Sequence, residues 1–319
     1  RAPPLKKLLI TRVLPDANLA AARARFDVTV RDTAEGLTIA EASAALRDYD
    51  AILPTLGDQF VADAFTDDIR CGVLANFGVG YNHIDAAAAA KAGVVVSNTP
   101  DVVTDATADI GLTLILSTCR RAGEGERLVR ADKWDGWGPT QMLGTHVTGK
   151  TVGIVGMGRI GQAVARRCHY GFEMPVLYFN RSKKAVDLPA RQVDSLHELM
   201  AASDIIVVTV PGGGANTAMI DAAALAAMKP TGIFVNIARG DVVDESALIA
   251  ALQSGQIAGA GLDVFAKEPV VPDAFRAMEN VVLLPHLGTA ALEVREAMGQ
   301  MALDNVIAWD EGRPLPQAV

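Results

Sequence analysis

Three polar residues stand just beyond short apolar runs in the second half of the chain: Arg239 in NIARGDVVDESAL, Glu268 in GLDVFAKEP and His286 in LLPHLGTA. Their types suit one another. A histidine gives and takes a proton near neutral pH. A carboxylate on its other ring nitrogen orients the imidazole, and a planar guanidinium grips a carboxylate and a carbonyl better than lysine does. Singly, each has an ordinary explanation as a helix-capping cation, a surface acid or a satisfied loop histidine. At consecutive strand ends of one nucleotide-binding domain, they form a set suited to hydride transfer at a 2-oxo acid.

The nucleotide-binding element is Gly156-Met-Gly158-Arg159-Ile160-Gly161, which follows the strand pattern TVGIVG and opens the helical pattern QAVARRCHY. The first glycine permits a tight turn, the second lets backbone approach a pyrophosphate, and the third lets helix and strand pack closely. The free N–H groups of the helix start then meet the phosphates. The next strand ends at Asn180, where an acid usually holds the ribose 2′-hydroxyl. Here Asn180, Arg181, Ser182 and Lys183, with Lys184 after them, form a basic cluster. A guanidinium fork and a hydroxyl suit a 2′-phosphate, and no carboxylate is present to repel it. The pattern favours NADP over NAD.

These residues must be positioned by alternating strands and helices. Strand patterns fall near 6–12 and at 26–30, 51–55, 72–77 and 94–98, with helical patterns such as TIAEASAALRDY and IDAAAAAKAG between them. A second series runs 151–156, 176–180, 204–210, 232–238, 259–265 and 281–286. The alternation indicates parallel α/β architecture, and two series indicate two doubly wound sheets. Between them, from about 101 to 150, lie one long helical pattern over 104–131 and a polar arm, DKWDGWGPTQMLGTHVTGK, read as a linker helix and a dimerisation arm. The pattern from Leu292 to Glu311 predicts a last helix that returns to the first domain.

Composition narrows the partners. A net charge of −8 argues against nucleic acid as a partner, because a phosphate backbone needs a basic face. The most apolar helical run, Ile110 to Cys119, is too short to span a bilayer, and no membrane partner is expected. The first residues, RAPPLKKLLITRVL, lack a signal-peptide pattern. Cys71, Cys119 and Cys168 are odd in number, widely spaced and set among apolar residues. They read as buried thiols in a reducing cytosol, outside any metal-ligand pattern, so the expectation is a cytoplasmic protein without a bound metal.

The motifs NFGVGYNHID, NTPDVVTDATAD, RRAGEGE with KWDGWGP, KTVGIVGMGRIGQAVARR, NIARGDVVDESAL, GAGLDVFAKEP and PHLGTA occur in this order over nearly the whole chain. In this set the chain resembles the D-isomer-specific 2-hydroxyacid dehydrogenases, and within them the glyoxylate/hydroxypyruvate reductases, or glycerate dehydrogenases. The resemblance implies a Rossmann cofactor domain over 102–287, which includes the linker helix and arm. It implies a discontinuous, flavodoxin-like substrate domain over 1–101 and 288–319, an active site in the cleft between the two, and a homodimer. Arg239 would anchor the 2-oxo acid, His286 would be the general acid/base and Glu268 its partner. The backbone of Val79 and Gly80 would receive the substrate carboxylate, with Leu56 and Gly57 nearby. Trp137 would reach the site of a partner subunit. Thr104, Gly158, Arg159, Ile160, Val210, Pro211, Thr217, Ala238, Asp263 and Gly288 would line the cofactor.

One departure from the family pattern is the loop PGGGANT (211–217), whose glycines predict flexibility at the adenine edge. The other is the Asn180–Ser182 cluster. Together the observations imply reduction of glyoxylate to glycolate and of hydroxypyruvate to D-glycerate, with NADPH preferred and NADH left open. Two alternatives remain at this stage. One is an NAD-linked dehydrogenase for a bulkier D-2-hydroxy acid. The other is a dinucleotide-sensing, corepressor-like scaffold, which the acidic chain and the intact Arg/Glu/His set disfavour.

Overall fold

Most strands of this protein are three or four residues long and apolar on both faces: Leu8, Leu9 and Ile10, Ala51–Leu53, Val73–Ala75, Val152–Val155, Ile205–Val208, Ile233–Asn236 and Gly259–Leu262 are buried throughout. A strand covered on both sides has no polar face to turn to water, so it belongs inside a parallel sheet between layers of helices. The computed structural model describes residues 4–319 and has this architecture twice.

By its contacts the chain divides into one unit of residues up to Val103 together with Thr289–Val319, and a second unit, Thr104–Gly288. The family resemblance implied these boundaries at 101/102 and 287/288. The first three residues of the expected substrate domain lie outside the described residues.

In the first unit the strands are β1 (Lys7–Ile10), β2 (Asp27–Val30), β3 (Ala51–Leu53), β4 (Val73–Ala75) and β5 (Val95–Ser97), in spatial order β2-β1-β3-β4-β5 and all parallel. This is the flavodoxin-like order, with its switch point between β1 and β3. The two-residue period of the strand sends Leu9, Ile52 and Leu74 to one face with Leu46 and Phe60. Leu8, Ile10, Leu53 and Val73 go to the other, where they meet Phe26, Leu303 and Val306. Leu303 and Val306 belong to the last helix, Leu292–Asp310, which packs on β4 and on the helix Asp16–Arg23.

The second unit contains β6 (Val152–Val155), β7 (Val176–Phe179), β8 (Arg191–Gln192), β9 (Ile205–Val208), β10 (Ile233–Asn236), β11 (Gly259–Leu262) and β12 (Val281–Leu283). Their order is β12-β11-β10-β9-β6-β7-β8, again all parallel, with the switch point between β6 and β9. Counted from β6, this is the dinucleotide-binding order 3-2-1-4-5-6 with one further strand. Each buried Leu, Ile or Phe of such a core contributes ~1.5–3 kcal/mol. Exposed pairs such as Arg130–Glu126 and Arg276–Asp273 are screened by water and contribute little, so the two-faced cores hold the units and the surface pairs do not.

The structure corrects two expectations. The pattern over 104–131 predicts one helix, but there are two, Thr104–Cys119 and Ala122–Arg130, with Arg121 left-handed at φ 54°. The returning arm causes the break. Thr145 N–H donates to the Cys119 carbonyl at 2.7 Å, Gly144 lies so close that a Cβ would stand 2.2 Å from the same oxygen, and Arg121 pairs with Glu124 while donating to the Leu143 carbonyl. The second correction is β8, two residues with no apolar run of their own, recruited as an edge by pairing with β7.

The edge of β5 is covered by residues 317–319. Ala318 bridges Ser97 in antiparallel fashion, Val319 N–H donates to the Val96 carbonyl at 3.0 Å, and the tail is tied to the last helix through Asn305. Asn305 is fully buried, donates to the Met301 carbonyl (2.8 Å) and Gln317 Oε1 (2.7 Å), and accepts from Gln317 N–H (3.1 Å). The three cysteines are buried and unpaired, and burial pushes each thiol up to about 12, which makes them inert as nucleophiles. Among the described residues, no helix is long and apolar enough to cross a membrane, and no group of three His, Cys, Asp or Glu could hold a metal ion. Replacing Asn305 by Ala should release the tail and lower stability by about 1–3 kcal/mol, read as a lower urea midpoint. An unchanged midpoint would mean that the strand bridge alone holds the tail.

Candidate active site

Apart from Trp137, every residue singled out in the second unit lies at or beyond the carboxyl end of a parallel strand or at the start of a helix, where an open α/β sheet leaves its crevice. Gly156 follows β6 at φ 92°, a conformation that L side chains rarely adopt, and a Cβ there would also stand 2.6 Å from Val210 beyond β9. A Cβ on Gly161 would meet the Gly156 carbonyl at 2.2 Å, so the helix Arg159–Phe172 packs against the turn only with glycine there. Gly158 differs: nothing lies within 4 Å of where its Cβ would be. The helix that it begins has no side-chain cap. Open space beside uncapped N–H groups at a fourteen-residue helix suits a pyrophosphate, and the residues present therefore fit a dinucleotide.

Beyond β7 the side chain of Asn180 turns inward, and its Oδ1 accepts from Met157 N–H at 2.9 Å. It braces the glycine turn, a role that its place at the strand end did not suggest. Gln192 of β8 donates to the carbonyls of Asn180 (3.3 Å) and Ser182 (3.0 Å), which holds the basic loop. Arg181, Ser182 and Lys183 are exposed, and Arg181 donates to Asn216 Oδ1. The loop 211–217, expected to be loose, is tied. Gly213 N–H and Ala218 N–H both donate to Asp241, through its carboxylate and its carbonyl at 2.8 Å each, while Thr217 is exposed at the rim.

The protonic residues come together. Glu268 Oε2 lies 2.7 Å from His286 Nδ1, and Glu268 Oε1 accepts from Phe265 N–H at 3.0 Å. Burial pushes the Glu268 carboxyl up, but the hydrogen bond and charge of His286, the Phe265 N–H and the Arg239 cation together pull it below its ordinary value. An ionised Glu268 requires a proton on His286 Nδ1, so Nε2 is the ring nitrogen left for chemistry. His286 itself is left-handed at φ 56°. Its N–H donates to the Asp263 carbonyl (2.9 Å), and the next two N–H groups, of Leu287 and Gly288, donate to the Asp263 carboxylate (2.7 and 3.0 Å). Three successive amides captured by one residue offset the strain of that turn.

Arg239 leaves β10 with its Nη1 on the Ala238 carbonyl at 2.7 Å, while Asn236 bonds Ala238 N–H and the Arg239 carbonyl. Burial lowers its guanidinium from the ordinary value, against the raising effect of Glu268, Asp241 and Asp263. A Cβ on Gly240 would stand 1.9–2.2 Å from the backbone of Phe265 and Ala266, so the Arg239 turn rests directly on the loop that carries Glu268. Thr104 begins its helix within this unit, and Ala238, Asp263 and Gly288 are buried. Trp137 is 83% exposed on the arm and makes no hydrogen bond among the described residues.

In the first unit, the loop after β4 turns its carbonyls inward. Asn76 Nδ2 donates to those of Gly78 (3.2 Å) and Gly80 (3.0 Å), and Asn98 donates to that of Val79 (3.0 Å). Among the described residues, the N–H groups of Val79 and Gly80 have no acceptor, which makes this loop suited to an anion. Beyond β3, Leu56 and Gly57 are shaped by the fully buried Asp58, which accepts from Leu37 and Thr55 N–H at 2.8 Å each, and by Arg12, which donates to the Leu56 carbonyl. Sequence reasoning missed Asn76, Asp58, Asn216 and Asp241. Only Asn76, directly before FGVG, had a local signal.

Comparison with known proteins agrees with this geometry. Residues 112–288 match the family model of the D-isomer specific 2-hydroxyacid dehydrogenase NAD-binding domain. The glyoxylate reductase of Pyrococcus furiosus is 41% identical over 98% of this chain and 95% of its own length, and the glycerate dehydrogenase of Hyphomicrobium methylovorum is 37% identical over 98% and 99%. The crystal structure of an NADPH-dependent glyoxylate/hydroxypyruvate reductase from Sinorhizobium meliloti with NADP and malonate superposes with a TM-score of 0.88, at 35% identity over 98% of this chain and 96% of that one. With a nucleotide turn, a carboxylate–histidine pair and an arginine at the strand ends of such a fold, the chain belongs to the D-isomer-specific 2-hydroxyacid dehydrogenase family and is an NAD(P)-dependent oxidoreductase of the glyoxylate reductase type.

Proposed function

We infer that this enzyme reduces small 2-oxo acids, glyoxylate to glycolate and hydroxypyruvate to D-glycerate, with NADPH as preferred reductant. The 2.7 Å contact between Glu268 and His286, which leaves Nε2 of the imidazole for the substrate, carries the reading. When bound, the reduced dinucleotide supplies the hydride that the carbonyl carbon accepts, and leaves as NADP⁺. His286 Nε2 delivers the proton to the carbonyl oxygen as the C=O π bond opens, so that a 2-hydroxy acid results. Glu268 holds the ring and balances its charge while the proton is held there. Arg239 binds the carboxylate and carbonyl of the acid, and the amides of Val79 and Gly80 receive its carboxylate, with Leu56 and Gly57 on the loop that follows the neighbouring strand β3.

For the dinucleotide, the turn Gly156–Gly161 with Arg159 and Ile160, and Thr104, Val210, Pro211, Ala238, Asp263 and Gly288 form the binding surface. Arg181, Ser182 and Lys183 take the 2′-phosphate, and Thr217 stands at the rim. The glyoxylate reductase and glycerate dehydrogenase relatives support the substrate class, and the NADP-bound relative supports the cofactor. The exposed arm with Trp134, Trp137 and Leu143 supports a homodimer in which Trp137 reaches the partner's substrate.

Initial rates on glyoxylate and hydroxypyruvate, with NADPH and with NADH, test this reading. A large kcat/KM advantage for NADPH is expected, and Arg181→Ala should erase most of it while sparing NADH. Equal rates with both cofactors would remove the NADPH assignment and keep the reductase. His286→Ala should lower kcat by about 10²–10⁴-fold with NADPH binding retained. Glu268 titrates below its ordinary value of 4.5, so its ionised form stabilises the fold fully above that value and loses this contribution as pH falls through the lowered one. Glu268→Gln should therefore flatten the acid side of the melting-temperature profile from about pH 6 to pH 3. A profile parallel to that of the unaltered chain would show that the pair contributes nothing to folding.

A further inference from the structure

The loop PGGGANT carries a side chain that the reaction itself does not use. We propose that Asn216 is a positioning residue for cofactor selection: its side-chain carbonyl holds the Arg181 guanidinium ready for the adenosine 2′-phosphate. The inference rests on the NADPH reading above and names the residue that makes Arg181 effective.

Two loops, each tied down independently, are bridged by this contact. On one side, Asn216 ends the single turn Gly214–Asn216, which starts from Gly213 at φ 75° and Gly214 at φ 54°. Asp241 clamps the turn at both ends through Gly213 N–H and Ala218 N–H. A Cβ on Gly212 would press within 2.9 Å of Arg239 and Asp241, so this loop also lies against the arginine turn. The direction of the Asn216 amide is set by its own Nδ2, which donates to the Pro211 carbonyl at 2.9 Å and leaves Oδ1 facing Arg181. On the other side, Asn180 and Gln192 hold the backbone of residues 180–182.

The chemistry of the contact is suited to the task. Asn216 engages one guanidinium nitrogen, Nη2, while Nε and Nη1 of Arg181 make no hydrogen bond among the described residues. A neutral acceptor orients the cation without cancelling its charge, whereas a carboxylate at the same place would neutralise it and repel a phosphate. Arg181 is exposed, and an unheld exposed arginine spreads over many rotamers. Holding it beforehand removes that ordering from the binding step. The three glycines of this loop then have a purpose, since two supply the left-handed turn that presents Asn216 and one permits the approach to Arg239.

The test is a double-mutant cycle on the full chain, read as kcat/KM with NADPH and with NADH and as fluorescence-titrated Kd for each. Asn216→Ala should lower kcat/KM for NADPH roughly tenfold, through KM and not kcat, and change NADH by less than about twofold. Asn216→Asp should lower NADPH further and leave NADH in place. In the Arg181→Ala background, Asn216→Ala should have no added effect on NADPH. Equal losses for both cofactors would overturn the inference, because the residue would then only hold the loop's shape. An NADPH advantage that needs Arg181 but ignores Asn216 would overturn it while sparing the NADPH reading. No NADPH advantage in the unaltered chain would overturn both.

Discussion

A parallel sheet covered on both faces meets solvent only at its edges and strand ends, and this constraint governs the whole molecule. Chemistry cannot sit on the faces of β6, β9 or β10, where Ile154, Val207 and Val235 are buried with their helices. It must lie where the backbone leaves the ladder. At those points the amides and carbonyls lose their ladder partners, and each loop has to satisfy them or leave them for a ligand. The loops of this protein divide along that line. The carbonyls of Gly78, Val79 and Gly80 are taken by Asn76 and Asn98, while two amides are left over.

Buried and half-buried polar side chains do the satisfying. Asp263 captures three consecutive amides and so holds His286 in a left-handed conformation that its residue type disfavours. Asp58 does similar work beyond β3, Asp241 beyond β9 and Asn236 beyond β10. None of these needs to touch a reacting atom to matter. A hydrogen-bond distance of 2.7 Å between Glu268 and His286 depends on two turns being placed to a fraction of an ångström, and the placement comes from these ties.

The electrostatics follow the same division. Glu268, half-buried beside His286 and the Arg239 cation, is held below its ordinary value, whereas Asp263, more deeply set, is pushed up by burial against the lowering effect of the amides and His286. Arg239, partly buried and beside three carboxylates, is lowered only because desolvation outweighs their attraction. Charges in such a group are mutually dependent, and removing one changes the others.

The sequence by itself determined the architecture, because the apolar β-branched runs and the alternation of strand and helix patterns are local properties that burial on both faces demands. It also pointed to the nucleotide turn and to the set of Arg239, Glu268 and His286, since a guanidinium, a carboxylate and an imidazole, ordinary singly, suit one task when they stand at consecutive strand ends. Tertiary structure decided what depends on residues distant in the chain. The break at Arg121 comes from the arm at 143–145, and β8 exists through its neighbour β7. Asn180, read from sequence as part of the cofactor's basic cluster, also braces Met157, 23 positions earlier, and a glycine-rich loop became a clamped one through Asp241. Local composition sets which conformations are accessible to a segment, whereas the partners of its polar groups are chosen only when the folded chain brings them within hydrogen-bonding distance.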